Sequence, residues 1–126
     1  MTAINVYKQR PDTGYAESPL FHAGLDELAR KAPLNKSSRA GVCLREKKLL
    51  GHLTLRGDAS DSNFAGGVHQ ALGLELPVAL TLVANGDTSL QWLGPDEWLL
   101  IVPSGSEFAV EQKLRAALDG QHVAVV

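Results

Sequence analysis

The sequence predicts an α+β fold in which two helices cover one face of a largely antiparallel sheet, the split βαβ arrangement of ferredoxin-like proteins. The chain has 126 residues, of which 44% are hydrophobic and 21% charged, the size and composition of one globular domain. Apolar residues alternate in some segments, as in strands, and recur every three to four residues in others, as in helices. From residue 41 onward these segments read strand, helix, strand, strand, helix, strand.

The N-terminal region divides into an arm and the start of the domain. Residues 1–17 show no hydrophobic period, so we expect an extended arm there and a single α+β domain over residues 18–126. A first helix is predicted to begin with Ser18 as N-cap and Pro19 at the first helical position, and to stop near Pro33.

Two segments then follow with different periods. Alternating apolar residues between 41 and 56 predict two strands or one long bent strand. Phe64, Val68 and Leu72 recur at helical spacing and predict a helix that ends at Gly73, with Asp58, Ser60 and Ser62 as capping candidates. The pair Gly66-Gly67 inside this helix predicts that it packs closely on a sheet.

The next region is predicted to form strands joined by tight turns. Residues 78–84 are apolar and end at Asn85-Gly86, a dipeptide typical of a tight turn. In "LQWLGPDEWLLIVP", residues 90–103, Pro95 and Asp96 suit the two central positions of a hairpin turn. The strand after the turn is apolar on both faces, with Trp98, Leu100 and Val102 on one and Leu99 and Ile101 on the other. It therefore belongs in the middle of the sheet.

The chain is predicted to finish with a helix and a strand. Ser104 with Glu107 three residues later matches a capping box, and Gly120 marks the end of the helix. The final "HVAVV", residues 122–126, is predicted to be a strand.

Several classes of site and location are disfavoured by the sequence. The single cysteine, Cys43, has no partner for a disulfide, and the four histidines lack metal-ligand spacing. Phosphate-binding glycine loops are absent. The chain has neither a membrane-spanning apolar run nor a signal peptide, so we expect a cytoplasmic protein.

The charge is distributed unevenly along the chain. The net charge of -2 combines a basic first half with an acidic second half. Basic residues concentrate between residues 30 and 56, where they form either a solvated charged face or a patch for an anionic partner. The candidate interface residues in this region are Arg39, Arg45, Lys47 and Lys48.

The hairpin contains the best candidates for a small-molecule site. Trp92 and Trp98 flank the turn and either stack a planar ligand such as a pterin or a base, or anchor a core or interface. Asp96 is predicted to accept backbone N–H groups within the turn. The tripeptide Arg56-Gly57-Asp58 is interpreted as a strand end followed by a helix cap.

Four segments carry a resemblance to a known family. They are "SPL" at 18–20, "LRGDAS…F" at 55–64, "ALGLELP" at 71–77 and, most specific, "WLGPDEWLLIVP" at 92–103. In these segments the chain resembles the gamma subunit of heterotetrameric sarcosine oxidase. The resemblance implies a fold related to the folate-binding aminomethyltransferase-type domain. It also implies a complex of alpha, beta, gamma and delta chains that oxidatively demethylates sarcosine to glycine.

The resemblance also sets expectations for cofactors and partners. FAD, FMN, NAD and tetrahydrofolate are expected on the partner chains, and the gamma chain is expected to be non-catalytic. No catalytic residue is carried over, because no residue of this chain matches a family catalytic motif. Gamma subunits are longer than this chain, so the chain is expected to be the N-terminal part of one. The alternative function is a folate-like binding module that uses Trp92 and Trp98.

Overall fold

The computed structural model describes residues 18–31 and 44–126. These residues belong to two compact units, which we call the N-terminal unit, within residues 10–49, and the sheet unit, residues 50–126. The predicted arm lies outside the described residues. No helix in the described ranges has the length and apolar character needed to cross a bilayer.

The N-terminal unit is less regular than the sequence suggests. A short 3-10 helix, Phe21–Ala23, precedes α1, Leu25–Lys31, and Gly24 between them has a left-handed conformation with φ of 61°. The prediction that Ser18 caps one continuous helix is wrong, because its hydroxyl donates instead to the Glu46 carboxylate at 2.8 Å. The sequence predicted two strands or one long bent strand over 41–56, and a strand is confirmed at Gly51–Arg56. Residues 44–50 form no strand, and residues 41–43 lie outside the described residues.

The sheet unit has a five-stranded antiparallel sheet with the strand order β2-β3-β4-β1-β5. The mixed α and β composition and the antiparallel sheet are therefore confirmed. In chain order the elements are β1 (Gly51–Arg56), α2 (Ser62–Leu72), β2 (Leu82–Asn85), β3 (Thr88–Gly94), β4 (Glu97–Val102), α3 (Glu107–Ala117) and β5 (Ala124–Val125).

The core lies on one face of this sheet because side chains alternate along each strand. Leu55 is opposite Trp98 and Leu53 is opposite Leu100 in the β1–β4 ladder, and all four side chains are buried. Residues from the two helices complete the core, namely Phe64 and Val68 of α2 and Leu114 of α3. The two-faced pattern predicted for β4 is confirmed, since Leu99 and Ile101 are half-buried on the opposite face.

The helix ends agree with the sequence only in part. Asp61 caps α2 by accepting a hydrogen bond from the Asn63 amide at 2.8 Å, so the cap lies between the predicted candidates. Gly73 ends α2 in a left-handed conformation, as predicted. The predicted capping box of α3 is wrong, because Ser106 occupies the N-cap position and its hydroxyl donates to the Pro103 carbonyl.

Helix α2 lies close to the end of α3 at Gly67. A Cβ atom at this position would lie 2.6 Å from Leu118 Cδ2 and 2.9 Å from the Ala117 carbonyl oxygen. The predicted close approach is therefore correct for Gly67, although the neighbour is α3 and the segment after it rather than the sheet. A Cβ at Gly66 would meet no atom within 4 Å.

Alanine at these two glycines is expected to have opposite effects on stability. Gly67→Ala should lower the free energy of unfolding by about 1–3 kcal/mol, because the added methyl group overpacks the contact between the helices. Gly66→Ala should raise it by up to about 1 kcal/mol, because alanine is the better helix former and the position is open. Urea unfolding of the two variants of the full chain measures both effects. Equal midpoints would contradict the packing described here.

Candidate functional site

The turn between β3 and β4 is attached to the loop that follows β1. Pro95 and Asp96 form the turn, and the Gly57 amide donates to the Asp96 carbonyl oxygen at 3.1 Å. Arg56 Nη2 donates to Asp96 Oδ2 at 2.9 Å. The predicted hairpin turn is confirmed, but the carboxylate accepts from a guanidinium and not from the turn's own backbone.

The Arg56–Asp96 pair is a surface interaction. The two side chains are 54% and 60% exposed, and ion pairs with such exposure contribute little to stability. The hydrogen bond that Arg56 donates to Asp96, with the charges of Asp96 and Glu97, raises the pKa of Arg56 above its usual value. The pair therefore links the turn to the last residue of β1, and Arg56 stays cationic.

The two tryptophans occupy different environments although they face each other across the hairpin. Trp92 is opposite Trp98 in the β3–β4 ladder, next to an irregularity between Trp92 and Gly94. Trp98 is 1% exposed and packs against Phe64, with the ring centroids 5.6 Å apart. Trp92 is partly buried against the same core. This arrangement favours the anchoring interpretation, because ligand stacking requires an accessible ring face.

Two buried polar atoms near this region have no hydrogen-bond partner within the described chain. They are the indole nitrogen of Trp98 and the side-chain oxygen of Gln121. A buried donor or acceptor left unpaired lowers the stability of the folded state by about 1–3 kcal/mol, and each of these two atoms is such a group.

An open cleft of about 870 Å³ lies beside the turn. The β1–α2 loop, Pro95 and residues 121–124 form its walls, and Phe64 contributes an apolar surface. Its carboxylates are already engaged, since Asp58 accepts from the amide and hydroxyl of Ser60 and Asp61 caps α2. The bonds from Ser60 lower the pKa of Asp58. The three cleft carboxylates, Asp58, Asp61 and Asp96, thus all accept hydrogen bonds from neighbouring groups, and His122 also lines the cleft.

The described residues contain no group of three or more histidine, cysteine, aspartate or glutamate side chains that could hold a metal ion. Two of the four histidines lie on the surface of the sheet unit. His52 is exposed on β1, and His69 Nδ1 lies 2.9 Å from Glu75 Oε1 on the surface of α2.

Three of the four candidate interface residues, Arg45, Lys47 and Lys48, are described, and they belong to the N-terminal unit. Arg45 and Lys47 are exposed, whereas Arg39 lies outside the described residues. Lys48 Nζ donates to Asp26 Oδ2 at 2.6 Å. This bond lowers the pKa of Asp26 and raises that of Lys48. Part of the basic charge is therefore neutralised within the unit.

Sequence reasoning missed two features of this surface. The Arg56–Asp96 bond joins residues 40 positions apart, and no local pattern indicates such a contact.

The second missed feature is the exposed apolar edge of the sheet at β2, where Leu80 and Leu82 point away from the core. The signal for this edge was present, because the segment between Glu75 and Asp87 carries no charge.

Comparisons with known proteins give a consistent result. Residues 56–126, which include the turn, the cleft and both helices of the sheet unit, match the model of the sarcosine oxidase, gamma subunit family. The chain is 38% identical over 101 residues to sarcosine oxidase subunit gamma of Corynebacterium sp. (strain P-1), covering 79% of this chain and 46% of that protein. It is 37% identical over 107 residues to the subunit gamma of Arthrobacter sp, covering 83% and 51%.

A solved structure agrees with these relatives. The fold superposes on a chain of heterotetrameric sarcosine oxidase from Corynebacterium sp. U-96, in complex with pyrrole 2-carboxylate, with a TM-score of 0.66 and 26% identity. The match covers 88% of this chain and 54% of that one. The chain spans about half the length of the curated relatives it matches. On the family match, which covers more than half of its residues, the chain belongs to the sarcosine oxidase gamma subunit family.

Proposed function

We propose that this chain acts as a non-catalytic accessory subunit of a heterotetrameric sarcosine oxidase, which oxidatively demethylates sarcosine to glycine. The observation that carries the proposal is the family match over residues 56–126, since these residues contain almost the whole sheet unit. The 26% identity to a chain of a heterotetrameric enzyme supports assembly with other subunits.

The character of the cleft supports a non-catalytic role. A general base must be positioned to take a proton from a substrate, and a nucleophile must be activated by a neighbouring base. The cleft carboxylates instead bond to Ser60, to the α2 N-terminus and to Arg56. These hydrogen bonds lie within or between the loops that contain the carboxylates. On the family resemblance, FAD, FMN, NAD and tetrahydrofolate are assigned to partner chains of a cytoplasmic complex, whose other subunits are the alpha, beta and delta chains.

The strand order supports the ferredoxin-like assignment. If the edge strand β2 is set aside, the remaining order is β3-β4-β1-β5, with α2 and α3 connecting strands across one face. That order is the one expected when two βαβ-type halves interleave. We assign the sheet unit to this architecture, as part of an aminomethyltransferase-type folate-binding-like domain.

Co-expression tests the accessory role directly. The tagged chain should recover the alpha, beta and delta chains of sarcosine oxidase from the cells, and the recovered complex should release peroxide when sarcosine is added. The same three chains expressed without it should yield less assembled enzyme. Recovery of no partner chain would contradict the proposal, because an accessory subunit acts only through assembly.

The exposed basic residues are proposed to contribute to docking. Lys47→Glu with Lys48→Glu should slow assembly with the partner chains, by about tenfold at low salt, and weaken its dependence on ionic strength. Lys47 is exposed, whereas Lys48 also bonds to Asp26, so Lys47→Glu alone separates docking from this internal bond. Lys113→Glu on α3 is a control with the same change of charge as Lys47→Glu alone. Unchanged assembly and unchanged salt dependence in the double variant would exclude this patch.

Tryptophan fluorescence distinguishes the accessory role from the folate-binding alternative. If the chain is only an accessory subunit, tetrahydrofolate should produce no saturable quenching of tryptophan emission in the isolated chain, because Trp98 is enclosed by the core. N-acetyltryptophanamide at matched absorbance corrects for light absorbed by the folate. Saturable quenching that disappears in Trp92→Phe would instead support a folate site on the hairpin.

A further inference from the structure

We propose that Asn85 is a site of spontaneous deamidation, at which the main-chain nitrogen of Gly86 and a water molecule convert the asparagine into aspartate and isoaspartate. The sequence marks Asn85-Gly86 as a tight turn, and the proposed subunit function assigns no role to this dipeptide. The inference does not depend on that function, because the reaction takes place within the chain itself.

The reaction needs only the chain and water. The deprotonated main-chain nitrogen of Gly86 attacks the side-chain carbonyl carbon of Asn85, a new N–C bond forms, and the carboxamide nitrogen takes up a proton and leaves as ammonia. The intermediate is a five-membered succinimide ring. Water then opens the ring at one of its two carbonyl groups and leaves either aspartate or isoaspartate. One water is consumed and one ammonia is released, so the chain gains about 1 Da.

The residue after the asparagine favours this attack. Glycine has no Cβ, so no side chain shields the Gly86 nitrogen from its neighbour. Within the described residues the Gly86 amide donates no main-chain hydrogen bond, and Gly86 has a positive φ of 58° in the turn. A Cβ atom built at Gly86 would meet no atom within 4 Å. The nucleophile is therefore neither shielded nor held by a main-chain bond.

The hairpin has to open at Asn85 before the ring closes. The extended conformation of a strand residue holds the next nitrogen away from its own side chain, so the Cα–C bond of Asn85 must rotate. The Trp92 amide donates to the Thr81 carbonyl oxygen, and the alternation of the ladder makes Asn85 and Thr88 a hydrogen-bonded pair as well. Rotation breaks the bond that the Asn85 carbonyl oxygen accepts in this pair.

This opening is confined to the end of the hairpin. Asn85 is the last residue of β2, and Asn85, Gly86 and Asp87 are exposed. β2 has four residues, and of these Val83 is the one that packs, partly buried, against the core. Loss of one main-chain hydrogen bond at a strand end reduces the reactive population by about tenfold, far less than global unfolding would require.

The product changes the charge and the register of the hairpin. Aspartate at position 85 places a second carboxylate close to Asp87, next to a segment that carries no charge between Glu75 and Asp87. Isoaspartate adds one carbon atom to the main chain and displaces the pairing of Asn85 with Thr88. The modification therefore alters β2 and leaves the helix-covered core in place.

Ageing of the full chain at mildly alkaline pH, followed by peptide mapping with mass spectrometry, tests the site. The gain of mass at Asn85 should appear at about one tenth of its rate in the same chain unfolded in urea. The rate should rise by about tenfold per pH unit, because the Gly86 nitrogen attacks only after it loses its proton.

Two controls accompany this measurement. Asn63 lies in α2 before Phe64, which is 1% exposed, so its reaction requires the helix to unfold and it should stay intact in the folded chain. Asn85→Gln keeps a carboxamide but would have to form a six-membered ring, which closes more slowly, and it should abolish the gain of mass at this position.

The nature of the product decides the mechanism. Electron-transfer fragmentation should detect isoaspartate, because ring opening yields it and direct hydrolysis of the carboxamide does not. If Asn85 stays as intact as Asn63 in the folded chain and reacts only in urea, the hairpin does not open and the proposal is wrong. Aspartate without isoaspartate would overturn the attack by Gly86. Each of these results leaves the subunit function untouched, because co-expression tests that function separately.

Discussion

The pairing of β4 on both of its edges is the constraint on which the sheet unit depends. This strand forms ladders with β1 and β3, and it buries Trp98, Leu100 and Val102 under the helices. Each such side chain contributes roughly 1.5–3 kcal/mol when it leaves water. Trp98 also contacts Phe64, so β4 positions α2 as well as its neighbouring strands.

The last residue of β1 and the two residues after it have separate structural roles that follow from this arrangement. Arg56 bonds to the hairpin turn at Asp96. Gly57 must be small, because a Cβ atom there would lie 2.4 Å from the Phe64 ring. Asp58 closes a local turn with Ser60. The tripeptide therefore connects the hairpin turn to the loop that precedes α2.

The surfaces of the sheet unit differ in whether their side chains are buried or hydrogen-bonded within the fold, or exposed. The helix-covered face is filled by the core, and the carboxylates of the cleft bond to neighbouring groups. By contrast, Leu80 before β2 and Leu82 within it are exposed. An accessory subunit acts through its contacts with other chains and not through a reaction of its own. The proposed role therefore agrees with a fold that exposes apolar side chains next to a sheet edge.

The sequence by itself determined the elements whose pattern is local and strongly periodic. The alternation of β4, the Pro95-Asp96 turn and the end of α2 at Gly73 were all predicted, because backbone geometry and burial impose them on a few neighbouring residues. Features that join distant residues were decided only by the tertiary structure. Ser18 bonds to Glu46 instead of capping a helix, Gly67 faces α3 instead of the sheet, and Asp96 pairs with Arg56. No short-range pattern encodes such contacts, because each depends on where the completed sheet places its partner.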